Sequence, residues 1–275
     1  MKNYYFKTID DLNNLVKANQ ARLQSYNFDL IVGLPRRGMI PATLIGLFLN
    51  KPVISFNELV ADLASEKIGY RLKSESNRHP KSYENILLVD DSTNNGSAFL
   101  GAKNKLDIET WNKITTMSVY STKKGANYID LALEILDSED KLYEWNILHK
   151  RVALKVSSMR FEGIIATNSL NGIWELITAP SYPINTIVSS LREKNRKEIE
   201  NFLKENNVEY ENLIMEVVSS KQLKEIVFKN QISLHFENDP FITHDLNDVV
   251  SVYNVASNVL TNPVAKETLD YDTSN

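Results

Sequence analysis

Ile86-Leu87-Leu88-Val89-Asp90-Asp91-Ser92-Thr93-Asn94-Asn95-Gly96-Ser97 is the stretch whose reading decides the fold. Four apolar residues without alternation predict a strand covered on both faces, as in a parallel sheet. Two carboxylates follow at the carboxyl end of that strand, where open α/β sheets bind ligands. A small polar loop with one glycine then leads into a helical run predicted from Ala98. Such a loop at a helix start turns backbone N–H groups and hydroxyls towards an anion, and paired aspartates suit sugar hydroxyls or a metal-bound ligand. The two halves together describe a grip for a ribose phosphate.

Upstream, Thr8 is a cap for a helix with Leu12, Leu15, Val16, Ala18 and Leu23 at helical spacing through Gln24. Residues 28–34 read as an apolar strand, broken by Pro35-Arg36-Arg37-Gly38 before a helix over 40–49, and residues 51–56 read as the next strand. Strand, helix and strand make a right-handed crossover, hence a parallel sheet. Residues 57–83 lose the pattern and predict a lid, with Arg71 and Lys73 as its cations. Downstream come a strand over 113–120, a charged turn at Lys123-Lys124-Gly125, and a helix or connector over 129–150. The alternation resumes with strands over 151–156 with 164–166, 186–188, 212–215, 232–236 and 249–255, and helices over 193–206 and 220–229. A second α/β domain follows from it. The predicted division is 1–150 and 151–275, with a frayed tail after Pro263.

The 275 residues suit two ordinary domains, and 43% hydrophobic with 24% charged residues is the balance of a soluble globular chain. No apolar run approaches the ~18 residues of a membrane span, and the start lacks a signal-peptide core, so the expected location is cytoplasmic. The absence of cysteine excludes disulfides and thiolate chemistry. A net charge of −4 argues against a general nucleic-acid binder. His79, His149, His235 and His244 have no metal-ligand spacing.

Taken together, Asp29 to Ala42 with its Pro35-Arg36-Arg37-Gly38 turn and Leu88 to Ser97 resemble the type I phosphoribosyltransferases over residues 25–125. The resemblance implies that Arg36, Arg37 and Gly38 face the pyrophosphate of phosphoribosyl pyrophosphate. It implies that Asp90 and Asp91 face the ribose hydroxyls, and that Ser92, Thr93, Asn94, Asn95, Gly96, Ser97 and Ala98 build the loop for the ribose and its 5-phosphate. Magnesium would come with the pyrophosphate, held indirectly by Asp90 and Asp91. Displacement at the anomeric carbon builds positive charge on the ribose and negative charge on the leaving group, which carboxylates and arginines with Mg²⁺ stabilise. Asn95 and Ala98 stand where the family usually carries threonines, and on that departure rests a second reading, a non-catalytic binder of phosphoribosyl pyrophosphate or a nucleotide.

The second half is similar to haloacid-dehalogenase-type phosphatases, most clearly from Ala179 to Met215. In the resemblance Lys221 or Lys224 takes the place of the family's lysine, and Phe236-Glu237-Asn238-Asp239 that of its late acidic pair. Where active members carry the nucleophilic aspartate, this chain has Arg160-Phe161-Glu162-Gly163. Arginine cannot form an aspartyl phosphate, so the expectation is a degenerate, Rossmann-like domain without phosphatase turnover. Its retained role is packing, binding a phosphorylated group or recruiting a partner. Paired domains of these types resemble systems that place ribofuranose on bacterial surface glycans, implying a sugar or alditol acceptor. The alternative is nucleobase salvage. The acceptor is unidentified, and a homodimer is admitted.

Overall fold

A computed structural model describes residues 2–63, 78–138, 140–169 and 171–263. The chain divides into two compact units, one of Lys7–Glu139 and one of Met1–Phe6 with Asp140–Asn275. Both are α/β units built on largely parallel sheets. In chain order the strands are β1 Tyr5–Lys7, β2 Leu30–Gly33, β3 Val53–Ser55, β4 Ile86–Thr93, β5 Ile114–Thr122, β6 Leu131–Leu136, β7 Lys141–Tyr143, β8 Ser157–Arg160, β9 Ala166–Asn168, β10 Trp174–Leu176, β11 Ile184–Val188, β12 Tyr210–Ile214, β13 Leu234–Glu237, β14 Ser251–Asn254 and β15 Val259–Thr261. The helices are α1 Ile9–Ala18, α2 Gln20–Gln24, α3 Met39–Leu49, α4 Phe56–Ala61, α5 Ser97–Lys103, α6 Ile108–Trp111, α7 Lys123–Ala126, α8 Arg151–Leu154, α9 Arg196–Glu205, α10 Ser220–Lys229 and α11 Pro240–Leu246. Among the described residues no helix is long and apolar enough to cross a membrane.

The first unit carries a parallel sheet of order β3-β2-β4-β5-β6 with β4 at its centre. Ile86, Leu87, Leu88 and Val89 are fully buried because both sheet faces are covered. Alternate side chains serve opposite faces. Ile86 and Leu88 join Leu30, Val32, Phe56 and Phe99 in one core, while Leu87 and Val89 join Ile31, Val16, Ile45 and Met117 in the other. The strand runs on through Asp90 and Asp91 to Thr93, because β5 continues the pairing, with Asp90 opposite Ser118 and Ser92 opposite Tyr120. The carboxylates therefore sit inside the strand and are fixed by its ladder, whereas the sequence reading ended the strand at them.

The predicted first helix is two helices. Thr8 closes a capping box with Asp11, but α1 ends at Asn19, whose side-chain amide donates to the Leu15 carbonyl and stops the turn. Residues 129–150, read as a helix or connector, are instead the edge strand β6 and the short strand β7, which pairs with β1. Tyr5 N–H donates to the Asp140 carbonyl, and the Asn262 side chain bonds both backbone groups of Tyr4. These bonds place the first residues in the second unit and set the division between 139 and 140 rather than at 150.

The second unit has the sheet order β12-β11-β8-β13-β14-β15, parallel except for the edge strand β15, with the β9–β10 hairpin after β8. The strand expected over 151–156 is displaced: Arg151–Leu154 is one helical turn and the strand is Ser157–Arg160. Helix α10 keeps its expected bounds, and a capping box of Ser219 and Gln222 fixes its start.

Candidate functional site

Sequence order in the first sheet runs outward from β2 to β3 and then returns to the other side of β2 at β4. The crevice at that reversal, beyond the carboxyl ends of β2 and β4, is where such sheets bind ligands. The loop after β2 crosses it: Leu34 N–H donates to the Val89 carbonyl at 2.8 Å, and Gly38 N–H returns to the Leu34 carbonyl at 2.9 Å. The Pro35–Arg36 peptide is cis. A Cβ at Gly38 would lie 2.4 Å from the Val89 carbonyl oxygen, so only glycine lets the loop lie this close to β4.

Arg37 leaves that loop with its Nε 3.9 Å from Asp91 Oδ2 and its side chain 45% exposed, held by one weak pairing and open to an anion. Asp91 is fully buried and its Oδ1 accepts from the Ser92 hydroxyl at 3.1 Å. Asp90 Oδ1 accepts from the Asp91 N–H at 2.9 Å. Burial and then the neighbouring Asp91 charge push the Asp90 carboxyl up to about 7, against the hydrogen bond from Asp91 N–H and the Arg37 charge. Near neutrality Asp90 thus exchanges between donor and acceptor.

The small-residue loop is a self-supported turn. Thr93 Oγ1 accepts from Gly96 N–H at 3.1 Å and Asn95 Oδ1 from Ser97 N–H at 3.2 Å, while the Thr122 hydroxyl donates to the Asn94 carbonyl. Gly96 has φ +72°, and a Cβ there would meet Tyr128 at 2.3 Å, so glycine is required on both counts. The start of α5 has no side-chain cap.

A cavity of about 460 Å³ opens beside these elements, lined by Leu34, Pro35, Arg37, Phe56, Asn57, Asp90, Ser97, Ala98, Gly101, Ala102 and Lys105. Of the residues expected at the site, Arg37, Asp90, Ser97 and Ala98 line it. Asp91 backs it through Arg37, Gly38 shapes the loop, and Thr93 and Gly96 lie beneath the turn. Arg36, Asn94 and Asn95 are exposed and outside this lining, and so is half-buried Ser92. Arg71 and Lys73, expected as lid cations, lie outside the described residues.

Phe56, Asn57 and Lys105 were not anticipated. Ser55 and Glu58 form a capping box that starts α4 directly at the end of β3, which carries Phe56 and Asn57 to the cavity. That Ser-x-x-Glu spacing was present in the sequence to be read. Ala98, Gly101, Ala102 and Lys105 recur at helical spacing along α5 and just past its end, and the small residues leave the room that Lys105 overlooks.

Among the described residues no group of three or more His, Asp or Glu side chains is placed to hold a metal ion. The Asp90–Asp91 pair suits the other mode of binding, in which Mg²⁺ keeps several waters and takes its remaining ligands from a diphosphate.

In the second unit, order reverses between β8 and β13, and a buried ion pair spans that reversal. Arg160 Nε donates to both Glu237 oxygens at 3.1 and 2.8 Å, and Nη1 to the Val217 carbonyl. Burial raises Glu237, but the hydrogen bond and charge of His235 and then Arg160 hold it down at about 2. His235 is fully buried, with Nδ1 at 2.7 Å from the Ser158 hydroxyl. Glu162 Oε1 accepts from the Ser189 hydroxyl and from both the N–H and hydroxyl of Ser190. Asp239 caps α11, and Lys224 pairs with Asp248. A cavity of about 380 Å³ is lined by Arg160, Glu162, Gly163, Ser190, Val217, Val218, Glu237, Asn238, Asp239 and Ile242; Lys221 and Lys224 do not line it.

No protein-family model and no curated protein sequence matches the chain. Among solved structures it is similar to a purine phosphoribosyltransferase from Pyrococcus horikoshii Ot3, at 16% identity and TM-score 0.37 over 52% of this chain and 93% of that one. It is similar to the Helicobacter pylori xanthine-guanine-hypoxanthine phosphoribosyltransferase, at 13% identity and TM-score 0.40 over 53% and 95%. The orotate phosphoribosyltransferase from Aeropyrum pernix gives 16% identity and TM-score 0.30 over 50% of this chain and 72% of that one.

Proposed function

We propose that the first unit binds phosphoribosyl pyrophosphate with Mg²⁺ and transfers its phosphoribosyl group to an acceptor. The observation that carries the reading is the meeting of a glycine-tight arginine loop with two buried aspartates at the sheet's point of reversal. In this reading the Asp90 carboxylate, which lines the cavity, holds the ribose hydroxyls and faces the positive charge that builds as the anomeric bond opens, while buried Asp91 positions Arg37. Arg37 turns from Asp91 to the departing pyrophosphate. A bound Mg²⁺ would neutralise the diphosphate and draw Asp90 to its charged form. The turn from Thr93 to Ser97, whose Gly96 and Ser97 N–H groups are held by Thr93 and Asn95, presents the Ser97 hydroxyl at the cavity to the 5-phosphate.

Phe56 and Asn57 favour a nucleobase acceptor over the sugar or alditol expected at first. An aromatic face and an amide suit a planar, hydrogen-bonding ring, and both line the cavity that holds Asp90. The second unit is read as a haloacid-dehalogenase-type domain without turnover, supported by Arg160 at the carboxyl end of β8, the first strand of its sheet in chain order. The test is incubation of the full chain with labelled phosphoribosyl pyrophosphate, Mg²⁺ and either nucleobases or alditols. Base-dependent pyrophosphate release is expected. Transfer to alditols alone refutes the nucleobase reading, and binding without release makes the unit a sensor.

A further inference from the structure

Two residues that line the cavity of the second unit each keep a buried polar atom without a hydrogen-bond partner, and the two atoms are of opposite kind. Arg160 Nη2 is a donor with no partner on a residue that is 6% exposed, and Glu162 Oε2 is a buried acceptor with none. Leaving such groups unpaired costs about 1–3 kcal/mol each, more when charged. Both residues line the same space, about 380 Å³, at the sheet's point of reversal. That volume is many times the ~30 Å³ share of one water.

The charges decide the ligand. The lining holds one cation, Arg160, against Glu162, Glu237 and Asp239, and the Arg160 charge is already matched by Glu237. A phosphate dianion would enter an excess of negative charge with no free cation to meet it. A bare metal ion would meet the guanidinium, and no described group has the ligands to hold it. A pair of neighbouring hydroxyls satisfies both open groups: one O–H donates to Glu162 Oε2 and the other oxygen accepts from Arg160 Nη2. Val217 and Ile242 offer apolar wall to the carbon chain.

We infer that the Arg160–Glu162 cavity is a binding site for an uncharged polyhydroxylated ligand, a sugar or alditol. The site stands on the cavity and its open groups. The test uses backbone amide NMR of the full ¹⁵N-labelled chain, titrated with ribitol and separately with inorganic phosphate, without phosphoribosyl pyrophosphate. Ribitol is expected to shift the Gly163, Ser190 and Asp239 amides saturably, and phosphate to leave them in place. Glu162→Ala should weaken the ribitol response about tenfold. Glu162→Gln keeps an acceptor for Ser189 and Ser190 should the alanine variant misfold, and should weaken it as well. Phosphate shifting these amides while ribitol does not, no response to either, or ribitol binding that survives both substitutions would overturn the inference. No transfer step enters the readout, so its failure is separate from failure of the first unit's assignment.

Discussion

Arg160→Met tests the buried pair at the centre of the second unit. The substitution keeps the apolar stem of the side chain and removes the guanidinium that donates to both Glu237 oxygens. Glu237 has no exposed surface, so its carboxylate cannot turn to water. Breaking such a pair from one side costs about 3–5 kcal/mol. Glu237 would retain N–H donors from Asn238 at 2.9 Å and Asp239 at 3.2 Å, which puts the expected loss near the lower end, about 3 kcal/mol. Adding Glu237→Gln removes the stranded charge while keeping an acceptor for those donors, so the double variant should recover more than half of the loss. Urea unfolding read by tryptophan fluorescence measures this in a Trp111→Phe background, where the remaining tryptophans, Trp145 and Trp174, both report the second unit. A loss below about 1 kcal/mol for Arg160→Met, or a double variant as weak as the two single losses summed, would refute the buried-pair reasoning.

Three further outcomes follow from named contacts. Glu237 is held at about 2 against an ordinary 4.5, so the stability it supplies is complete above pH about 5 and drains away as pH falls towards 2; acid titration of the second unit should show this slope, and Glu237→Gln should flatten it. Gly38→Ala should cost about 1–3 kcal/mol and weaken phosphoribosyl pyrophosphate binding, because its Cβ meets the Val89 carbonyl at 2.4 Å; calorimetry and thermal unfolding read the two effects. Leu88→Ala should destabilise the first unit by about 2–5 kcal/mol through the cavity it leaves in the face shared with Phe56 and Phe99, measured by hydrogen exchange of β4 amides.

The central strand and the arginine turn were legible because their chemistry is local: an apolar run, a run of turn-formers, a doublet of aspartates. What was missed depended on partners far along the chain. Ser157-Ser158-Met159-Arg160 does not read as a buried strand, yet all four are buried, since Ser157 bonds the Leu154 carbonyl, Ser158 meets His235, and Arg160 meets Glu237. Hydropathy cannot see a carboxylate supplied from a strand 77 residues on. Edge strand β6 was equally opaque: three consecutive residues, Ala132 to Glu134, are half-buried and Glu134 pairs with Lys7, so no clean alternation marks it. The reach of β4 past Val89 came from the length of β5, which only pairing reveals. At the first site the doublet was visible, but the unequal environments of Asp90 and Asp91 were not, because they arise from burial and from Arg37 folding over.

Calorimetric titration of the full chain with phosphoribosyl pyrophosphate and Mg²⁺, compared between the natural sequence and Asp91→Asn, tests the central claim most directly. Saturable binding that weakens at least about tenfold in the variant is the predicted result, since Arg37 loses the carboxylate that positions it at the cavity. Absence of binding to the natural chain, or equal binding by Asp91→Asn, would contradict it.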